Sequence, residues 1–189
     1  AQGSTDEYTW SYTAETGTVY INTNEGYTVL DGSASKGTLP MWYSFSTEEG
    51  AENSIWGDYS GSNVKHIIFG NNIETIQNIT LKYELYPDLI GAEFEENSSI
   101  KELGASVFKE SHIKALELPE GLEKIGSSCF YSCLFEDVTI PESVTQIGTK
   151  GFYSSNLKKL TILGDPECGN AAFRFISWLA EVNAPNVTK

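Results

Sequence analysis

A pattern of 22 residues that occurs twice in succession is the feature that most constrains the fold of this chain. Residues 113–130 read IKALELPEGLEKIGSSCF, and residues 135–152 match them position for position as FEDVTIPESVTQIGTKGF. A fixed period in this range is typical of a solenoid, in which a single coil cannot bury its apolar side and must stack on its neighbours. The sequence therefore predicts a stack of coils.

Weaker copies of the pattern extend the stack on both sides. They begin near residues 64, 91, 157 and 179, which predicts five to six coils, the last one partial. Residues 79–90 carry about five more residues than the period allows and should bulge from the stack. We predict a solenoid over residues 63–189 and a β-rich N-terminal cap over residues 1–62, which would cover the open end of the stack.

Alternating residues in the predicted cap indicate strands. Apolar and polar side chains alternate in residues 8–12 and in residues 17–21, with turn residues between these segments. This pattern predicts short antiparallel strands.

Within each coil, the apolar positions should face a shared interior. The inward set of the third coil is predicted to be Ile113, Leu116, Leu118, Leu122 and Ile125. A ladder of stacked rings is predicted for Phe108, Phe130, Phe152 and Phe173. A positive backbone angle or a tight corner is predicted at Gly104, Gly126 and Gly148. Glu96 takes the inward position that Leu118 holds in the third coil, which predicts a paired carboxylate or a distorted strand.

The strand residues that point outward predict a protein-binding surface. One row comprises His66, Glu93, Ala115, Asp137, Lys159 and Glu181, and the next comprises Ile68, Glu95, Glu117, Thr139, Thr161 and Asn183. The predicted protein-binding residues are His66, Glu93, Glu95, Glu117, Asp137, Thr139, Lys159 and Thr161. The middle of this surface is acidic, so a basic partner surface should dock there. The alternative is that any outward face of so acidic a chain carries acids without binding anything.

Composition excludes several classes of partner. The chain has 26 acidic and 12 basic residues, a net charge of -14, and no cluster of Lys and Arg in its sequence. Because nucleic acid and anionic lipid attract positive surfaces, we expect neither as a partner. No run approaches the ~18 apolar residues of a membrane span, so we expect no membrane insertion.

The residues that carry chemistry in enzymes are not arranged as a known site. No nucleophile elbow, phosphate loop, zinc-binding helix or calcium loop occurs, so the sequence predicts a protein with no catalytic activity and no cofactor. Three cysteines, Cys129, Cys133 and Cys168, are an odd number and not a disulfide framework. We expect buried free thiols and no metal site.

Aromatic residues in the predicted cap support a second hypothesis. A platform of Trp42, Tyr43, Trp56 and Tyr59 could stack on a sugar ring and make the protein a glycan-binding module. The simpler interpretation is that these rings cover the first coil.

The repeat unit also resembles a known family. A strand followed by Pro-Glu-x-Val-x-x-Ile-Gly, small residues and Phe-Tyr-Ser, as in residues 135–154, is similar to the BspA-like leucine-rich repeats. The resemblance extends to the N-terminal segment through Trp10 and residues 17–21 and 42–44. It implies an α/β-class right-handed solenoid, with a parallel β-sheet and short helical or irregular return segments.

The resemblance implies a functional class too. Proteins with such repeats are surface or secreted proteins that adhere to host proteins or to other microbes, and no catalytic motif comes with them. An N-terminus without Met predicts a mature chain from which a signal segment was removed, which fits an extracellular or cell-surface location. A structural spacer within a longer surface protein is the remaining alternative.

Overall fold

The computed structural model describes residues 2–4, 6–32 and 64–188, and these residues form fourteen β-strands and no helix. The strands are β1 (Gln2–Ser4), β2 (Tyr8–Thr13), β3 (Thr18–Thr23), β4 (Val29–Asp31), β5 (His66–Phe69), β6 (Thr75–Gln77), β7 (Gly91–Phe94), β8 (Glu102–Leu103), β9 (Lys124–Ile125), β10 (Asp137–Ile140), β11 (Gln146–Ile147), β12 (Lys159–Ile162), β13 (Glu167–Cys168) and β14 (Glu181–Asn183).

Six short strands form one uninterrupted parallel sheet, which we call the continuous sheet. Its order is β4-β6-β8-β9-β11-β13, so each strand lies beside the strand of the next coil. The residues of β9 and β11 stand 22 positions apart, with Lys124 opposite Gln146 and Ile125 opposite Ile147. The predicted period is therefore the spacing of the coils.

The other strands form two separate sheets, which together we call the split sheet. The first has the order β1-β2-β3-β5-β7, and the second has the order β10-β12-β14. Strands β2 and β3 pair antiparallel, with Trp10 opposite Ile21, as the alternation in this segment predicts. From β3 onward the pairing is parallel, and Thr18 of β3 lies opposite His66 of β5.

The interior between the strands is filled by the predicted apolar residues. Ile113, Leu122 and Ile125 are fully buried or nearly so, and Leu116 and Leu118 are less than a tenth exposed. The rings of Phe108, Phe130, Phe152 and Phe173 stack in order, with centroids 5.5, 4.9 and 5.3 Å apart. The predicted inward set and the predicted ring ladder are both confirmed.

The return segments form a third side of each coil, which we call the turn ladder and define as residues 104–112, 126–134, 148–156 and 169–178. Each segment bonds to the next coil, as when the N–H of Phe130 donates to the carbonyl of Gly151 at 2.7 Å. Left-handed backbone recurs at equivalent positions, namely Ser106, Ser128, Lys150 and Ala171, and again Glu110, Ser132, Ser154 and Phe175. Among the described residues, the return segments are therefore turns. This is the irregular alternative of the predicted helical or irregular return segments.

The role predicted for the repeated glycines is wrong in one respect. Positive backbone angles fall on the turn-ladder residues rather than on Gly104, Gly126 or Gly148. A side chain at these glycines would instead collide with the preceding coil, because a Cβ at Gly126 would lie 2.5 Å from the carbonyl carbon of Gly104. Close approach of stacked backbones explains the glycines.

The spacing of the early coils also corrects the predicted register. Along the split sheet, His66 lies opposite Gly91 and Gly91 bridges Ala115, steps of 25 and 24 residues instead of 22. The five extra residues are therefore divided, three before β7 and two after it. As a result, Phe94 rather than Glu96 takes the inward position, and Glu96 is exposed in the turn after β7.

The described residues thus form a parallel-sheet solenoid of about five coils. The predicted division between cap and solenoid at residues 62 and 63 lies outside the described residues and stays a prediction.

Candidate functional site

The split sheet opens between the third and fourth coils. Ala115 forms an isolated bridge with Gly91, and among the described strands β10 pairs with β12 alone. Side-chain alternation nevertheless continues through the third coil, where Ala115 and Glu117 are exposed. Residues 115–118 therefore alternate between solvent and core as a strand does, but they do not pair with β10.

Proline removes one backbone donor at this opening and another at the junction of the second and third coils. In the other coils, the residue after the strand donates its N–H to the preceding coil, as Glu95 does to Phe69 at 2.9 Å and Leu163 does to Ile140 at 3.0 Å. Pro119 and Pro141 occupy this position in the third and fourth coils. Since proline has no N–H, the corresponding bonds cannot form.

Three grooves surround this opening, and Leu116 and Glu117 line all of them. The first, of about 510 Å³, lies towards the C-terminal coils and is lined by Leu116, Glu117, Leu118, Glu120, Asp137, Val138, Thr139, Pro141, Lys159, Thr161 and Leu163. The second, of about 470 Å³, lies towards the N-terminal coils and is lined by His66, Ile90, Gly91, Ala92, Glu93, Phe94, Lys114, Ala115, Leu116 and Glu117. The third, of about 650 Å³, is lined by Lys114, Ala115, Leu116, Glu117, Leu134, Glu136, Asp137 and Asn156.

Seven of the eight residues predicted for protein binding line these grooves, all except Glu95. Their rows differ from the predicted ones, because the longer second coil shifts the register. Gly91 takes the position predicted for Glu93, and Glu93 lies opposite Ile68 in the second row. A Cβ at position 91 would lie 2.5 Å from Nδ1 of His66, so glycine leaves room for the imidazole.

Glu95, by contrast, forms hydrogen bonds with residues of two neighbouring coils. It follows β7, and its Oε2 accepts hydrogen bonds from the N–H of Asn71 at 3.0 Å and from the hydroxyl of Tyr20 at 3.1 Å. Burial raises the pKa of Tyr20, and the bond to the Glu95 carboxylate raises it further. The prediction of an outward-row position for Glu95 is therefore wrong.

Charges around the grooves are mostly negative but not uniformly so. Glu117 and Asp137 are both exposed, and both line the first and third grooves. Lys159 has a neighbour in Glu181, with Nζ and Oε1 3.1 Å apart. His66 lies 4.0 Å from Glu93. Glu117 and Asp137 take part in none of these ion pairs, and the exposed Lys114 lines the second and third grooves.

The cysteines separate into two environments. Cys129 and Cys133 are buried free thiols, as predicted, whereas Cys168 is exposed in β13. Burial raises the pKa of the Cys133 thiol from 9.0 to about 12. The same thiol donates to the carbonyl of Phe108 at 2.9 Å. In the described ranges, no group of three or more His, Cys, Asp or Glu side chains could hold a metal ion.

Two further findings bear on the other predictions. Trp42, Tyr43, Trp56 and Tyr59, the predicted glycan platform, lie outside the described residues. Within the described part of the chain, no helix is both long and apolar enough to cross a membrane.

Sequence reasoning missed the opening and a row of rings on the turn ladder. The prolines are visible in the sequence, at corresponding positions of two consecutive repeats, but proline there is also compatible with a regular family pattern. The rings of Tyr131 and Tyr153 are separated by one period, and this spacing is the signal that could have identified them as neighbours.

Comparison with known proteins places the chain in a family. No curated protein matches the sequence. A solved structure of a leucine rich cell surface protein from Faecalibacterium prausnitzii A2-165 is similar, with a TM-score of 0.48 and 15% identity. The match covers 98% of this chain and 55% of that one, so the chain spans little more than half the length of that protein. The model of the BspA type leucine rich repeat region matches residues 91–189 in six copies, and the chain therefore belongs to that family.

Proposed function

We propose that this chain is a non-catalytic interaction module of a secreted or cell-surface protein, which binds a basic segment of a protein partner at the opening of the split sheet. Membership of a leucine-rich repeat family supports a protein-binding role. We place the binding site at the opening because three grooves share Leu116 and Glu117 as lining residues.

The shape of this region favours an extended protein segment over a small molecule. The grooves adjoin one another across several coils, and coils stack about 4.8 Å apart in a parallel sheet. A long, open surface of this kind fits a polymer better than a compact ligand, which needs an enclosing pocket.

The backbone at the opening offers a second attraction. In a parallel strand, successive N–H groups point to opposite neighbours, so those of Val138 and Ile140 serve β12 and those of Asp137 and Thr139 face the third coil. An unpaired strand edge binds extended peptides through main-chain hydrogen bonds. Glu117 and Asp137 then favour a peptide that carries Lys or Arg.

The experiment is a capture of partners from extracellular matrix and mucus, followed by identification and measurement of affinity with the purified partner. Glu117→Lys combined with Asp137→Lys should weaken binding by roughly tenfold or more, because attraction becomes repulsion at the opening. The matched control is Glu123→Lys with Glu142→Lys, which makes the same charge change at exposed acids outside the grooves. Equal effects of the two pairs would contradict the proposed location.

A further inference from the structure

The positive charges of this acidic chain are not spread evenly. The turn ladder holds Lys109, Lys150 and Arg174 against one acid, Glu110, whereas the whole chain has 26 acidic and 12 basic residues. These cations are far apart in sequence and become neighbours because the coils stack. The fold thus creates a positive strip that the linear sequence does not display.

The cations are interleaved with a row of aromatic rings. Tyr131 and Tyr153 stack at 5.1 Å with their planes 7° apart, and the ring of Phe175 meets Tyr153 edge-on at 5.1 Å. Each ring also has its own cation. The distances to the ring centroids are 5.4 Å for Lys109 over Tyr131, 5.3 Å for Lys150 over Tyr153 and 4.6 Å for Arg174 over Phe175. We call these six residues the cationic ridge.

Backbone bonds between coils hold the ridge in place. The N–H of Glu110 donates to the carbonyl of Tyr131 at 2.7 Å, and the N–H of Ser132 donates to that of Tyr153 at 2.9 Å. The N–H of Ser154 donates to the carbonyl of Arg174 at 2.9 Å in the same way. The ridge residues are therefore carried on a rigid scaffold with a rise of about 4.8 Å per coil.

The ridge remains open to solvent. Lys150, Arg174 and Phe175 are exposed. The side chain of Lys109 is 40% exposed, and its Nζ lies 3.6 Å from Oε1 of Glu110. A cation above a ring face keeps N–H donors that point away from the ring, and Arg in particular offers several. These donors and the tyrosine hydroxyls are groups that bind sulfate or carboxylate oxygens.

We infer that the cationic ridge binds a linear anionic polysaccharide, one whose sulfate or carboxylate groups recur along an extended chain. The cations lie on the second, fourth and fifth coils, so anions that recur along an extended polymer can contact all three. The rest of the protein carries a strong negative charge, which would repel a polyanion everywhere else and confine it to the ridge. This site is distinct from the opening of the split sheet and does not depend on the proposed protein partner.

The ring geometry argues against nucleic acid as the occupant. Single-stranded nucleic acid binds by stacking its bases on free aromatic faces. The faces of Tyr131 and Tyr153 are occupied by each other and by the ammonium groups of Lys109 and Lys150. An anionic polysaccharide needs no free ring face when it binds through ion pairs between its anionic groups and the cations.

The test measures binding of the purified chain to immobilised dextran sulfate and to hyaluronan, with neutral dextran and poly(dT) for comparison. We expect binding to one or both anionic polysaccharides that weakens as salt rises, and none to neutral dextran. The combined variant Lys109→Gln, Lys150→Gln, Arg174→Gln should lose roughly tenfold or more in affinity. Replacement of Tyr131 and Tyr153 by Phe should cost less, because the rings and their cations stay in place.

The matched control is Lys65→Gln, Lys101→Gln, Lys124→Gln, which removes three exposed positive charges outside the ridge. Its thermal unfolding and that of the ridge variant should resemble the parent protein's, so that a binding loss reports the site. Equal losses for both triple variants, tighter binding to poly(dT) than to dextran sulfate, or no binding to either anionic polysaccharide would each overturn the inference.

Discussion

The continuous sheet and the split sheet are built by the same coils, yet one runs unbroken and the other opens in its middle. In the continuous sheet a glycine follows each strand from β8 to β13. Its N–H bonds to the preceding coil, as Gly126 does to Leu103 and Gly148 does to Ile125, both at 2.7 Å. In the split sheet Pro119 and Pro141 follow the corresponding strands. At the opening, Pro141 therefore lacks the N–H that a glycine supplies after each strand from β8 to β13 of the continuous sheet.

The comparison assigns the two sheets different roles. Gly126 and Gly148 allow the backbones of the continuous sheet to approach so closely that a Cβ would collide with the neighbouring coil. The split sheet leaves exposed side chains, grooves and an unpaired edge around Leu116. We interpret the first as the element that holds the stack together and the second as the surface available for binding.

Removing the ring ladder that supports both sheets should have the largest effect. Phe130 is fully buried between two stacked rings, so Phe130→Ala should lower the free energy of unfolding by about 3 to 5 kcal/mol. Chemical denaturation followed by tryptophan fluorescence measures this change. A loss below about 1 kcal/mol would mean that the stack does not depend on the ladder.

Disturbing the continuous sheet alone should come next. In Gly126→Ala the new methyl group would lie 2.6 Å from the backbone nitrogen of Ala105, and we expect a loss of about 1 to 3 kcal/mol in unfolding free energy. The control is Gly121→Ala, whose Cβ would have its nearest neighbour at 3.9 Å. Equal stabilities of the two variants in thermal melts would show that close backbone approach is not the role of Gly126.

Alkaline pH should weaken the stack through its buried thiols. The folded-state pKa of Cys133 is about 12 and its ordinary value is 9.0, so the unfolded chain loses this proton first. Stability from this group is therefore complete below about pH 9 and declines as the pH rises towards 12. Melting temperatures of Cys133→Ala and of the parent protein should converge over this range. A parallel decline would contradict the assignment.

The three cysteines should differ in reactivity, because two lie in the interior and one lies on the surface. In the native protein the exposed Cys168 should react with a thiol reagent before the other two, although partial burial and the Asp165 charge raise its pKa. Cys129 and Cys133 should react after unfolding, because burial keeps them inaccessible and protonated. Mass spectrometry of labelled peptides identifies the reacting residue. Rapid native labelling of Cys133 would show that the turn ladder opens readily.

Pro141→Ala should have the smallest effect on stability and still be informative. It restores one N–H at the opening, and a net hydrogen bond contributes about 0.5 to 1.5 kcal/mol, partly offset by the greater freedom of the unfolded chain. We expect a stability change within about 1 kcal/mol and slower hydrogen exchange at the opening. Unaltered exchange would mean that the proline is not what keeps the coils unpaired.

The sequence predicts the coil spacing and core well, because a strict period and apolar alternation act locally and repeat. Phe108, Phe130 and Phe152 lie as the 22-residue period places them. The surface is harder to derive. The extra residues before and after β7 move Glu93 and Glu95 by two positions, and sequence alone does not show where a loop absorbs an insertion. The cationic ridge arises from stacking, which a linear pattern does not display.

Hydrogen exchange resolved by residue tests the central claim most directly. Asp137 and Thr139 should have N–H groups that face the opening, whereas the N–H of Lys159 donates to the carbonyl of Glu136 at 3.1 Å. Two-dimensional NMR after transfer to heavy water should show exchange at Asp137 and Thr139 at least about tenfold faster than at Lys159 and Thr161, which pair with β10. Equal protection of the two strands would mean that the split sheet is closed, and would contradict the account.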